Sequence, residues 1–311
     1  MKQNRRTFMK ATASATAATM LSPFATLASA EQPVFPKNDQ FKLLMMQTSW
    51  GFKGNIDAFC AAAKKEGYDG IEVWWPADDV KAQTELFDAL KKHGLQVGFL
   101  CGGSQTNHQE HFDTFKKNLD AATANKIQKP VYINCHSGRD YFTYEQNKLF
   151  IDQTTKRSKE TGVPIYHETH RGRMLFAAHI TRQFIEKNPE LRLTLDISHW
   201  CNVHETLLTD QKETVDIALE RVDHIHSRVG HPEGPQVSDP RAPEWERALS
   251  AHIAWWDKVI ERKKKKGELM TILTEFGPPD YLQTLPYTRQ PVADQWAINV
   301  HMMQLLRKRY Q

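Results

Sequence analysis

Short apolar runs recur along this chain. Each halts at polar residues, and each is followed by a stretch of helical periodicity. Phe41–Met46 stops at Gln47, Ser49 and Trp50; Tyr68–Trp75 stops at Pro76; Leu95–Leu100 stops at Cys101-Gly-Gly103; Lys129–His136 stops at Ser137-Gly138. The fifth run, Val163–Tyr166, breaks off at His167, Glu168, His170 and Arg171. Leu191–Ser198 leads into His199, Val222–Arg228 ends in His226 and Arg228, and Glu268–Thr274 is tipped by Glu275. Between the runs, the 3.6-residue period predicts helices over 55–65, 79–93, 108–125, 143–161, 175–187, 211–221, 244–266 and 292–309, with Gly67, Gly94 and Gly162 as stops. This alternation predicts an α/β fold, a single-domain parallel (β/α)8 barrel of the TIM type. An open doubly wound sheet is the competitor, but Gln47-Thr-Ser-Trp-Gly-Phe52 lacks the glycine-rich dinucleotide fingerprint such a sheet carries after its first strand.

The polar tips carry the candidate chemistry. Ionised carboxylates and guanidinium groups are costly to bury unpaired, so hydrophobic burial does not account for them. In a barrel of this type the C-terminal strand ends converge on one mouth, where active sites lie. Glu168, Asp196, His226 and Glu275 would come there from four successive strands. Three carboxylates and an imidazole form a mixed oxygen and nitrogen set suited to Mn²⁺, Mg²⁺, Co²⁺ or Zn²⁺. Crowded like charges also need a cation.

Other tip residues have plainer readings beside the functional one. Glu72 is expected either to contact substrate or merely to cap a loop. His136 is either a substrate contact or a hydrogen-bonded core histidine. His170 and Arg171 are expected to point into the mouth, with a surface pair as the alternative. His167 should alternate away from Glu168 and be structural, whereas His224 shares a face with His226. His231, in the loop 229–243, is expected to be solvated. Trp50, Trp74, Trp75 and Trp200 are candidates for an aromatic floor under a sugar ring, or ordinary core.

The set of tips resembles the xylose-isomerase-like barrel superfamily of sugar isomerases and epimerases. The matching residues are Gly70-Ile-Glu-Val-Trp74, Glu168, Asp196-x-x-His199, His226-x-Arg228 and Glu275-Phe-Gly277. Similarity to the ketose 3-epimerase branch implies Glu168, Asp196, His226 and Glu275 as metal ligands. It implies His199 and Arg228 as substrate contacts, and Glu168 and Glu275 as the proton-transfer pair. The implied reaction is proton abstraction next to a carbonyl of a free sugar, keto-sugar or glycoside. Elimination on an oxidised (3-keto) glycoside shares its first step and is the alternative. A non-catalytic sugar-binding barrel is a third reading. The superfamily also resembles zinc apurinic endonucleases, but those need an Asp-x-His after strand seven, and this chain offers Asp239-Pro-Arg241.

Composition changes this picture in two places. The first residues, with Arg5-Arg6, an Ala/Thr/Ser-rich run and Ala28-Ser-Ala30, resemble a twin-arginine export signal over 1–30. The expectations are contact with the export machinery, a periplasmic or otherwise exported barrel over 31–311, and no stable membrane span after cleavage. That segment holds Lys2, Arg5, Arg6 and Lys10 and no acid, so its removal takes 41 basic residues to 37 against 37 acidic ones. The basic balance belongs to the signal and gives no support to nucleic-acid binding. Lys263–Lys266 reads as a solvated, dipole-complementing helix end. The four cysteines are scattered, and their spacing does not call for a disulfide.

Overall fold

The structure is a computed structural model and describes residues 40–311. The expected signal segment over 1–30 lies outside the described residues. Eight parallel strands close into a barrel in chain order: β1 (Lys42–Thr48), β2 (Gly70–Trp74), β3 (Gln96–Gly102), β4 (Tyr132–His136), β5 (Ile165–Glu168), β6 (Leu193–Leu195), β7 (Val222–His226) and β8 (Leu269–Thr274). β8 pairs back onto β1. Around them, among the described residues, run α1 (Ile56–Glu66), α2 (Val80–His93), α3 (His108–Ala124), α4 (Tyr144–Thr161), α5 (Ala178–Lys187), α6 (Ser198–Val203), α7 (Lys212–Leu219), α8 (Glu246–Lys266) and α9 (Gln295–Tyr310). This is the TIM barrel.

Local chemistry sets the helix ends. Thr143 and Gln146 form a reciprocal capping box at the start of α4, satisfying two amide donors that the first turn leaves free. Gly162 ends that helix at φ 64°, a left-handed position that glycine tolerates best. The sixth strand departs from expectation. The apolar run 191–198 forms only three residues of β6, and Ser198 already opens α6. Asp196 is the cause: one of its carboxylate oxygens accepts from the Ser198 amide and hydroxyl, which turns the chain into a helix.

Strand alternation separates two cores. Outward positions such as Ile71, Val97, Phe99, Ile133, Leu193, Ile225 and Ile272 join the helices in one large apolar shell. The inner apolar cluster holds only Met46, Tyr132 and Leu273, flanked by Leu44, Val131 and Tyr166. The rest of the lumen is polar, from the tip of β5 down into the bodies of the next three strands. Glu168, Thr194, His224 and Thr271 pair level with one another across β5 to β8.

Two expectations are corrected. Lys263 is not solvated: it is buried and reaches Asp223 at 2.5 Å and Glu268 at 2.9 Å, because the end of α8 packs under β7 and β8. His231 is half-buried, bonds to Gly234 through its backbone and lies 4.7 Å from the Trp245 ring, so the loop folds onto itself. All four cysteines are buried and free. Among the described residues no helix is long and apolar enough to cross a membrane.

Candidate active site

Glu168 ends β5, and Asp196 follows β6 directly. His226 ends β7, and Glu275 follows β8. Two carboxylates thus stand just past their strands, where the backbone still holds them inward. One atom of each of the four side chains lies within 4.8 Å of the others, and all four residues are buried. His226 Nδ1 is 2.9 Å from Glu275 Oε2 and 3.7 Å from Glu168 Oε1. Glu168 Oε2 accepts from Asn134 Nδ2 at 2.7 Å and lies 2.9 Å from His136 Nε2.

Several clamps hold the tip of β8. Asn299 of α9 accepts the Phe276 amide, and Gln295 and Asn299 donate to the Phe276 carbonyl. Gln236, from the loop 229–243, brackets Gly277 through both its amide and its carbonyl. A Cβ at Gly277 would stand 2.3 Å from the Trp50 ring. Glycine in Glu275-Phe-Gly277 therefore lets Trp50 lie against the backbone beside the carboxylate.

Above the four residues opens a cavity of about 270 Å³, lined by Trp50, Glu72, Trp74, His136, Glu168, His170, Arg228, Glu275 and Tyr281, with Thr48, Ser49, Val73 and Leu100 between them. Trp50 and Trp74 are exposed at its rim, whereas Trp75 and Trp200 are core. Arg228 is buried in the wall. It pairs with Asp196, stands 2.8 Å from His199 Nε2 and 3.5 Å from Glu275, and lies 4.8 Å from the Tyr281 ring centre. His199 is fully buried and stacks behind His170 at 3.8 Å, so it lies behind the wall rather than on it. Arg171 is also absent from the lining, because its guanidinium is held by the Asn202 side chain and lies over Tyr281. Glu72 is no loop cap: it is buried in the lumen, 3.5 Å from His224 and 3.6 Å from His226. His167 points outward, as its alternation with Glu168 requires, and bonds to Ser137 and Thr154.

The electrostatics are those of crowded anions. Burial pushes Asp196 up to about 7, with Glu275 and Glu168 adding to it and Arg228 opposing. Burial alone would raise Glu168, but the charges of His136 and His226 hold it well below the usual carboxylate range. Burial disfavours a proton on His226, yet Glu275, Glu168 and Glu72 together raise it well above the ordinary value. Burial holds His170 down to about 3. Glu168 Oε1 is buried without a hydrogen-bond partner. An unpartnered buried carboxylate oxygen, three crowded acids and one imidazole fit a hard divalent cation.

Tyr281 lines the cavity, Asn134 holds Glu168, and Tyr132 lies against His224 deeper in the lumen; apolar-run reasoning finds none of them. Asn134 and Tyr132 lie inside a strand run, and Tyr281 sits in the proline-bearing segment beyond β8. An aromatic residue soon after Gly277-Pro-Pro279, where the chain turns over the mouth, was the one available signal.

A family model described as xylose isomerase-like TIM barrel matches residues 60–253. Among solved structures, D-allulose 3-epimerase from Methylomonas sp. superposes with TM-score 0.57 at 14% identity, covering 89% of this chain and 99% of that one. The 3-keto-D-glucoside 4-epimerase from E. coli gives 0.55 at 16%, covering 86% and 100%. A probable 3-DHS dehydratase from Bacillus anthracis gives 0.54 at 14%, covering 85% and 98%. Identities this low establish a shared fold. No curated protein matches the sequence.

Proposed function

Because the chain belongs to the xylose isomerase-like TIM barrel family, we propose that it is a divalent-metal-dependent sugar isomerase or epimerase, working by proton abstraction next to a carbonyl. The observation that carries this reading is the meeting of Glu168 and Glu275 on one cavity with Asp196 and His226 at its base. Glu168, Asp196, His226 and Glu275 would hold the cation. When bound, it would polarise the substrate carbonyl and a neighbouring hydroxyl, acidifying the C–H between them. Glu168 takes that proton; it is kept ionised by His136 and His226 and positioned by Asn134. Glu275 returns a proton. Return to the opposite face of the same carbon gives the epimer, and return to the adjacent carbon gives the isomer. Trp50, Trp74 and Tyr281 offer ring faces to a free sugar, keto-sugar or glycoside. Arg228 supplies a fixed positive charge beside the developing oxyanion.

A second reading has its own support. His136 lines the cavity and lies 2.9 Å from Glu168, so an imidazole is present that can protonate a departing oxygen. Abstraction followed by loss of a β-substituent from a 3-keto glycoside would then be elimination. The probable dehydratase among the structural neighbours is named for a reaction of that type.

Turnover of keto-sugars and glycosides in D₂O tests both. The expected result is deuterium at a product carbon in the metal-loaded protein and none with Glu168→Gln or Glu275→Gln, whose circular dichroism stays native. Product identity separates epimerisation from elimination. Undiminished turnover in both variants rejects the mechanism. We further propose, from residues 1–30, that the barrel is exported by the twin-arginine route; accumulation in the cytoplasm after Arg5→Lys with Arg6→Lys tests it.

A further inference from the structure

Beside the site just described and reaching deeper into the lumen is a second convergence of ligand atoms, which shares His226 with it and takes Glu72 from the cavity lining. Glu72 from β2 and His224 and His226 from β7 each bring one ligand atom within 4.8 Å of the others. The three residues are buried, and the two histidines are fully so. His224 Nδ1 lies 3.0 Å from the Thr271 carbonyl oxygen and 2.7 Å from its hydroxyl. A carbonyl can only accept, so Nδ1 carries the hydrogen and Nε2 turns a lone pair toward Glu72 Oε2. Those two atoms face each other at 3.5 Å, and neither has a hydrogen-bond partner. His226 Nε2 is 3.6 Å from the other Glu72 oxygen. The Tyr132 hydroxyl and Asn134 Oδ1 are buried in the same stretch of lumen, also without partners. Space for the tyrosine is made opposite: a Cβ at Gly98 would overlap the Tyr132 ring and hydroxyl at 2.3 to 2.7 Å.

Acceptors do not attract one another, and each buried one without a partner costs free energy. The separations are long for hydrogen bonds. They are close to the roughly 3.3 Å between two ligand atoms about 2.0 Å from a tetrahedral ion. We propose that Glu72, His224 and His226 form a second divalent-cation site, beneath the first and sharing His226 with it. His226 turns Nδ1 up to Glu275 and Glu168 and Nε2 down toward Glu72 and Asn134, so one ring would serve both sites. The donor sets differ in kind. Three carboxylates with one imidazole suit magnesium and manganese; two imidazoles with one carboxylate suit zinc, cobalt or nickel and disfavour magnesium. This inference does not rest on the proposed reaction, since ion count and position judge it.

The test is metal content of the chelator-stripped protein after dialysis against Zn²⁺ or Mg²⁺, with anomalous diffraction at the zinc edge. We expect two zinc ions and one magnesium per chain, and a zinc peak between Glu72 and His224. His224→Gln and Glu72→Gln should each hold one zinc fewer, with melting curves showing that both fold. One zinc per chain that is lost in Glu275→Gln but kept in His224→Gln overturns the lower site and leaves the upper one standing. One zinc lost in His224→Gln but kept in Glu275→Gln supports the lower site and removes the upper. Absence of any bound zinc overturns both. The wild-type anomalous map decides the matter even if a variant fails to fold.

Discussion

Glu168, Asp196, His226 and Glu275 were legible as single residues because each interrupts or ends an apolar run with a charge that no core tolerates unpaired. Their neighbours were not. Asn134 and Tyr132 occupy inward positions of β4, where a polar residue in an apolar run gives no sign of the face it takes. His199 was legible by spacing from Asp196, but its turn onto α6 places it behind the cavity wall. Tyr281 was invisible to strand-tip reasoning, yet it touches more of the mouth than Arg171 does: its ring meets Trp50 edge-on at 4.9 Å and lies beneath both Arg171 and Arg228. Under the proposed function, a ring so placed would meet the substrate at every stage of the reaction and so contribute uniform binding. Tyr281→Ala is expected to raise KM about tenfold, a loss of about 1.4 kcal/mol, with kcat little changed. Steady-state kinetics on whichever sugar shows exchange will check this, and a fall in kcat at unchanged KM would contradict it.

At the level of elements, strand and helix identities followed from period and stop signals, and their ends shifted where a side chain captured the backbone. β6 is the clear case, cut short by Asp196. The register between β6 and β7 also slips at Leu193 and Thr194, which no periodicity foretold. The opposite end of β7 shows how such short strands are held. Asp223 receives Arg192 Nε at 2.6 Å and Lys263 Nζ at 2.5 Å, tying β6, β7 and α8 together. Burial would raise its carboxyl, but the Arg192 hydrogen bonds and the Lys263 charge outweigh that and hold it below the usual carboxylate range. A folded value below the unfolded one means the contribution is complete above the unfolded value of 3.8 and is lost as pH falls through the folded value. Asp223→Asn is expected to cost about 3 kcal/mol at pH 7, since it leaves Arg192 without its carboxylate and Lys263 with Glu268 alone. Denaturant unfolding should show that deficit shrinking at acid pH. A deficit unchanged down to pH 3 would place the effect elsewhere.

Over the whole molecule, the barrel and its single domain were readable because the strand–helix alternation runs the length of the described chain. What the sequence obscured was the division between shell and lumen, since inward and outward residues of a short strand share one run. The shell contains several histidines held neutral. Burial lowers His252 to about 4, where it accepts the Gly230 amide and bonds to the Ala248 carbonyl; His111 is lowered for the same reason. A folded value below the unfolded 6.5 means the unfolded chain binds the proton better, so stability is full above about 6.5 and drains away as pH falls toward 4. The melting temperature is expected to fall across that interval, and His252→Gln should flatten the fall. Equal slopes in the two proteins would exclude His252 as a cause. The two cores carry a further implication. Folding energy is concentrated where the helices wrap the strands, and the inner cluster of Met46, Tyr132 and Leu273 contributes little area to it. Substitutions on the lumen side can therefore accumulate without unravelling the scaffold, so descendants of this sequence could change the chemistry at the mouth while keeping the same outer architecture.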